Sequence, residues 1–295
     1  YDTSDCRCIL GNEFYIATRN GSTPNVVFRM AGGGACWPGQ DACTKEVNPH
    51  RNLSTGLASK GAENPVGDWS FIFVPYCDGS VHIGDNNADY DGDGATDHWH
   101  WGLKTTSAAV TLMKDNFPKP EKILVTGCSA GGYGTIMAIA VIRTQFPNAK
   151  IYVFNESGPG LLNPEDIATR DLILETWNIT PYLPSDCTLC KAQLIWFYDW
   201  MLDRDSNLKI GLFSSYQDEV IGKTYLGMSP DKFETLLVTT SESIQMEHPD
   251  NFKRFFINGT EHCVSNYFYD VNGISIINWV DYLVNDHENW TDILE

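Results

Sequence analysis

Basic residues are scarce in this chain. Twenty Lys and Arg stand against 38 Asp and Glu, a formal charge of −18 with a pI near 4.6. Such a surface repels phosphate backbones and anionic headgroups, so nucleic acid is excluded as an expected partner and a membrane-surface role is disfavoured. Long apolar runs are missing too. The longest, Ile136 to Ile142, has seven residues, far short of the roughly 20 of a bilayer span. No repeat, low-complexity tract or linker-like stretch divides the sequence. The Cys187-x-x-Cys190 pair lacks a second C-x-x-C or a spaced His pair to complete a zinc tetrahedron.

What is present is enough apolar material for a core: 42% of 295 residues are hydrophobic, which excludes whole-chain disorder. Length alone would allow two domains, but with no divider the expectation is one domain over residues 1–295. Nine cysteines point to disulfides in an oxidising compartment, and the odd count implies a free thiol or an intermolecular bond. The chain begins at Tyr1 without a charged-then-apolar leader. A secreted or periplasmic protein whose signal has been removed is therefore expected. Sequons at Asn20, Asn52, Asn155, Asn178, Asn258 and Asn289 agree with that compartment, though chance supplies roughly two or three.

Periodicity predicts strands at Phe14–Thr18, Asn25–Met30, Trp69–Pro75, Lys122–Thr126, Lys150–Phe154, Leu208–Ser214 and Phe252–Ile257. Helices are predicted at Trp101–Phe117, Tyr133–Phe146, Leu189–Leu202 and Ile274–Val284. Alternating strands and helices imply an α/β fold with a mostly parallel sheet. Chemistry then belongs in the loops beyond the carboxyl ends of the strands.

Gly127-Cys-Ser-Ala-Gly131 lies in such a loop, between a predicted strand and a predicted helix. G-x-S-x-G in that context is the nucleophile elbow of α/β-hydrolases and makes Ser129 the candidate nucleophile. The acid should follow a late strand, which selects Asp218, with Glu219 as its rival and Asp203 and Asp205 lying before the strand. The base should follow the last strand, which selects His262. His50, His82, His98 and His100 precede the serine, His248 precedes that strand, and His287 lies near the end. An oxyanion hole needs converging N–H groups, and Ala130 together with the Gly32-Gly-Gly34 loop can supply them.

These residues resemble the pectin acetylesterase/Notum family of secreted serine carboxylesterases, most closely its bacterial members. The resemblance rests on Gly32-Gly-Gly-Ala-Cys-Trp37 with Cys43, Val74–Gly84, Gly127–Gly132, Glu156-Ser-Gly158, Tyr216-Gln-Asp218 and Gly259-Thr-Glu-His262. It implies an α/β-hydrolase fold, Ser129, Asp218 and His262 as the triad, and Gly33, Gly34 and Ala130 as the oxyanion donors. It also implies a Cys36–Cys43 disulfide. Two positions depart from the pattern: Ala35, where plant members usually carry Trp, and Glu156, where Asp is common.

Cys8–Cys77 and Cys187–Cys190 are two further disulfides to expect, with Cys128 as a buried thiol beside the serine. Trp37, Tyr76, Trp99 and Trp101 fall in loops expected to rim the site, as stacking or acyl-packing surfaces or simply as core. Asp89, Asp91, Asp93 and Asp97 read as the start of a calcium loop, with His100 where a bidentate Glu belongs; an ordinary acidic loop is the alternative. Structural Ca²⁺ is thus an open expectation, and the catalysis itself requires no cofactor.

The expected partner is an acylated carbohydrate or another small or polymeric ester, with removal of acetyl or short acyl groups. A lipid-ester or polyester hydrolase is the first alternative, and a calcium-dependent carbohydrate-binding protein on a hydrolase scaffold the second. The excess negative charge disfavours de-esterified pectin, itself a polyanion, unless calcium bridges the two.

Overall fold

The computed structural model describes residues 6–47 and 55–295; His50 and the sequon at Asn52 lie outside them. Four runs with apolar centres, Val26–Met30, Ser70–Val74, Lys122–Cys128 and Lys150–Glu156, form the middle of an eight-stranded sheet. Strands covered on both faces read as continuous Val/Ile/Leu/Phe runs, and Val27, Phe28, Ile72, Leu124 and Val153 are fully buried.

From one edge the order is Ala17–Arg19, Ser70–Val74, Val26–Met30, Lys122–Cys128, Lys150–Glu156, Leu208–Ser215, Phe252–Ile257 and Ile293–Leu294. Only the first pairing is antiparallel. The fold is α/β with a mostly parallel sheet, as the alternation of elements implies.

The site is positioned by the order of connections. Val26–Met30 passes the chain to Ser70–Val74 on one side, whereas Lys122–Cys128 passes it to Lys150–Glu156 on the other. Connections diverge between these two neighbours, and such a divergence opens a crevice at their carboxyl ends. The glycine loop leaves one strand there and Ser129 leaves the other.

Several elements differ from expectation. The first strand covers Ala17–Arg19, not Phe14–Thr18. The helix expected over Leu189–Leu202 is confined to Trp196–Leu202. Its first half is held open by tertiary bonds: the Gln193 amide clamps both backbone groups of Leu162, and Ile195 N–H donates to Gly160. The last helix starts at Ile276, because Ile274–Ser275 pairs with Asp270–Val271.

Two helices were not anticipated, Ile167–Thr176 and Pro230–Glu247. Their signals were small. Asp166 caps the first by accepting from Thr169 N–H, and Pro230 opens the second, where its missing N–H costs nothing. Among the described residues no helix is long and apolar enough to cross a membrane.

Four disulfides join described residues: Cys8–Cys77, Cys36–Cys43, Cys187–Cys190 and Cys128–Cys263. The last corrects the reading of Cys128 as a buried thiol. Its partner lies 135 residues away in the chain, a pairing that no local spacing reveals.

Candidate active site

Strand Lys122–Cys128 turns into helix Ala130–Gln145 through one residue, Ser129, at φ 59° and ψ −123°. Positive φ on a residue with a side chain is strained and needs its surroundings to enforce it. The flanking glycines show how. A Cβ on Gly127 would stand 2.4 Å from the Gly131 carbonyl carbon, and one on Gly131 would stand 2.2 Å from the Met30 oxygen. Only glycines let the strand, the turn and the neighbouring strand approach this closely.

Ser129 N–H donates to the Glu156 carbonyl at 2.9 Å, which ties the elbow to the next strand. The buried Glu156 carboxylate accepts from Arg29 at 2.9 Å, from Tyr267 at 2.9 Å and from Thr126 at 3.3 Å. Burial pulls against the Arg29 charge, but the neighbouring Glu156 and Tyr267 prevail and hold the Arg29 pKa above its ordinary value. Through its backbone carbonyl Glu156 thus supports the elbow from behind, while its carboxylate ties Arg29, Tyr267 and Thr126 together.

Asp218 follows strand Leu208–Ser215 and is buried. Its Oδ1 accepts from the N–H groups of Val220 and Ile221, both at 3.0 Å. Its two oxygens lie 2.8 and 3.0 Å from His262 Nδ1. An ionised carboxylate only accepts, so Nδ1 carries the hydrogen and Nε2 keeps a lone pair.

The loop carrying His262 has no regular structure and is held at each of three successive residues. Ser215 Oγ donates to the Glu261 carbonyl at 2.6 Å, Asp218 takes His262, and Cys263 N–H donates to Ser157 Oγ at 3.0 Å. Cys263 is also bonded to Cys128, and a His262 ring nitrogen lies within 4.8 Å of the Cys128 sulfur. Both sulfurs are used in the disulfide, so this cluster offers no thiolate to a metal.

The rivals are engaged elsewhere. Glu219 pairs with Lys223, Asp205 with Arg143 and Asp203 with Arg204, while His248 bonds Asp199.

The glycine loop turns its carbonyls toward the protein behind it. Ala31 O accepts from His82 Nε2 at 2.8 Å, Gly33 O from Thr44 N–H at 2.7 Å, and Gly34 O from Tyr76 Oη at 2.6 Å. Gly34 has φ +83°, and a Cβ there would meet Ala42 O at 2.0 Å. Ala130 is the first residue of its helix, so its N–H has no intrahelical acceptor.

Gly34, Ser129 and Ala130 line one cavity of about 50 Å³. The rest of its wall is apolar, including Trp37, Val81, Tyr133, Leu161, Ile173 and Trp177. Burial and the nearby Asp218 carboxylate push the Tyr133 phenol up, so it stays neutral and donates to Leu161 O at 2.8 Å. Trp177 meets Trp37 edge-on at 6.2 Å and donates to Cys36 O.

Of the four aromatics expected at the rim, only Trp37 lines this cavity. Tyr76 is buried under the glycine loop, its hydroxyl spent on Gly34 and on Val81 N–H. Trp99 and Trp101 instead face the Arg7 guanidinium, and Trp101 also meets Lys104 and Asn87. Ile173 and Trp177 went unnoticed in the sequence because the helix bringing them here was itself unanticipated. Tyr133, one turn into the elbow helix, could have been found from its spacing.

In the acidic loop, Asp89, Asp91 and Asp97 bring carboxylate oxygens within 4.8 Å of one another. Asp93 is not among them, and its Oδ1 accepts from Ala95 N–H. His100 is buried and turned inward, bonded to Tyr90 and to the Asp78 carbonyl, so it does not occupy a ligand position beside these acids.

Residues 8–187 match the family model described as Pectinacetylesterase. Over 183 residues the chain is 26% identical to "Pectin acetylesterase 11" of Arabidopsis thaliana, an alignment covering 56% of this chain and 46% of that protein. The chain thus spans about half the length of this curated relative. The family match includes the glycine loop and Ser129, whereas Asp218 and His262 lie beyond it.

Proposed function

The chain belongs to the pectinacetylesterase family, and from that premise we propose that it is a serine carboxylic ester hydrolase acting through Ser129, His262 and Asp218. The observation that carries this reading is the Asp218–His262 pair at 2.8 Å, tied by Cys128–Cys263 to the strained elbow of Ser129.

The chemistry runs as acyl transfer. His262 Nε2 takes the Ser129 proton while Oγ attacks the ester carbonyl, and Asp218 holds and balances the imidazolium. The oxyanion rests on the N–H groups of Ala130 and of Gly33 and Gly34, aided by the positive end of the helix. Collapse breaks the C–O bond, and His262 returns the proton to the leaving alcohol. Water then repeats the sequence on the acyl-enzyme, releasing the acid and free Ser129. No cofactor enters any step.

Cavity size bears on the acyl group. About 50 Å³ is several times the roughly 10–15 Å³ that admits one water, which suits acetyl to about butyryl chains. An acylated carbohydrate is the substrate class we propose. The apolar wall supports a second reading, a lipid or polyester ester, which would need the cavity to open further. Four disulfides favour an extracellular or periplasmic location, and the single main sheet favours one catalytic domain.

The test is p-nitrophenyl acetate hydrolysis by the chain and by Ser129→Ala. Loss of turnover by about 10⁴-fold or more in a folded variant, with loss of fluorophosphonate labelling, is expected. Turnover retained without Ser129 would remove the reading. Absence of labelling in the unaltered chain would favour a binding protein on a hydrolase scaffold.

A further inference from the structure

Behind the glycine loop sits a second carboxylate–imidazole pair that the acyl-transfer chemistry does not use. Asp78 and His82 are each 1% exposed. Asp78 Oδ1 is saturated, accepting from Ser80 N–H at 2.8 Å, Ser80 Oγ at 2.6 Å and His82 N–H at 3.2 Å. Its Oδ2 is buried without a hydrogen-bond partner among the described residues, and so is His82 Nδ1; the two face each other at 3.9 Å. His82 Nε2 meets the Ala31 carbonyl at 2.8 Å. A carbonyl can only accept, so Nε2 carries the hydrogen and Nδ1 presents a lone pair to Asp78. Two buried acceptors in that position need one hydrogen between them.

The backbone here is strained to make the arrangement. Val81 and His82 have φ of 48° and 66°, the left-handed region that a β-branched residue such as valine rarely enters. Such strain persists where surrounding bonds over-determine it, and it gathers at functional sites. The turn wraps Asp78 Oδ1 and delivers the imidazole to the first carbonyl of the oxyanion loop.

Peptide planarity carries the consequence forward. A carbonyl and the following N–H share one rigid plane and point in opposite directions. Clamping Ala31 C=O therefore fixes where Gly32 N–H points, just as Thr44 on Gly33 C=O fixes Gly34 N–H. Gly32 is where the loop passes the nucleophile: a Cβ on it would lie 3.1 Å from Ser129 Cβ.

We propose that His82, backed by Asp78, is a positioning residue for the oxyanion hole, orienting the Ala31–Gly32 peptide and through it the glycine loop. The proposal rests on the esterase reading. It requires that loss of the imidazole be felt in the transition state more than in substrate binding.

The experiment compares His82→Ala, His82→Gln, Asp78→Ala and Asp78→Asn on p-nitrophenyl acetate, with a boronic acid as transition-state analogue. His82→Ala should lower kcat about 10- to 100-fold, within reach of a lost oxyanion donor, with KM within about twofold and boronate affinity falling in parallel. His82→Gln keeps a donor toward Ala31 and should recover most of the loss. Asp78→Asn supplies an N–H toward Nδ1 and should recover most of what Asp78→Ala loses.

A folded His82→Ala with kcat and boronate affinity within twofold of the unaltered chain overturns the proposal. Should His82→Ala fail to fold, full activity in Asp78→Ala, or equal losses in His82→Gln and Asp78→Ala with KM alone affected, overturns it equally. If the unaltered chain hydrolyses no ester, the esterase reading fails first, and that outcome is distinct from either.

Discussion

Cys263, the residue after His262, is disulfide-bonded to Cys128, the residue before Ser129, with their Cα atoms 5.7 Å apart. One covalent link thus fastens the loop of the proposed base to the elbow of the proposed nucleophile. Without it, the irregular loop would depend on hydrogen bonds only, those of Ser215, Ser157 and Asp218 together with Gln217 N–H to Gly259 O and Glu219 N–H to Thr260 O.

Removing that link should affect turnover as well as stability. Closing a loop of this length stabilises a fold by roughly 4–5 kcal/mol in the chain-entropy view. A Cys128→Ala/Cys263→Ala variant is expected to melt at lower temperature. Assayed well below its melting point, it should still show at least about a tenfold drop in kcat on p-nitrophenyl acetate, as misplacement near the chemistry is costly. Unchanged kcat would assign the bond to stability only.

Glu156 offers a contrasting test. Its carboxylate is buried and paired with Arg29, so Glu156→Ala would strand a half-buried guanidinium. A cost of about 3–5 kcal/mol is expected, measured by denaturant unfolding. Glu156→Gln retains an acceptor for Tyr267 and should cost less. Because the Glu156 backbone, not its side chain, holds Ser129 N–H, a folded Glu156→Gln should keep most of its activity.

Acid should weaken the fold through His100. Burial lowers its pKa from 6.5 to about 4 despite the pull of Asp78. As pH falls from 6.5 toward 4, the unfolded chain takes up this proton and the folded one does not. Stability is therefore full above about 6.5 and declines through that window, by about 3 kcal/mol for a shift of this size. Unfolding free energies measured from pH 7.5 to 4 should show the slope, and His100→Gln should flatten it.

Acyl preference should follow cavity volume. Turnover of p-nitrophenyl esters is expected to drop sharply beyond butyrate. Trp177→Ala removes a wall and should raise the octanoate-to-acetate ratio of kcat/KM by about tenfold or more, since each accommodated methylene is worth about 1 kcal/mol or more. Equal efficiency for acetate and octanoate in the unaltered chain would turn the reading toward lipid or polyester esters.

The six inner parallel strands were legible in the sequence because burial on both faces writes itself as apolar runs with few polar breaks, seen at Trp69–Pro75 and Lys150–Phe154, whereas the two-residue edge strand Ile293–Leu294 is too short to leave a pattern. The elbow was legible because its constraint is local: Gly127 and Gly131 stand within two residues of Ser129, and the steric demand that selects them lies in the same turn. Chain order together with position after the late strands singled out Asp218 and His262, which the fold brings to 2.8 Å. Helix Ile167–Thr176 escaped notice because a single cap and a mixed surface carry little periodic signal.

Local spacing and burial pattern thus determined the inner sheet, the turn at Ser129 and the order of the proposed acid and base. Tertiary structure alone decided that Cys128 meets Cys263 across 135 residues, that Tyr76 serves the glycine loop from beneath, and that Trp177 walls the cavity. Those contacts arise where distant segments converge on the carboxyl ends of the strands, and a convergence of that kind leaves no period or spacing in the chain to read.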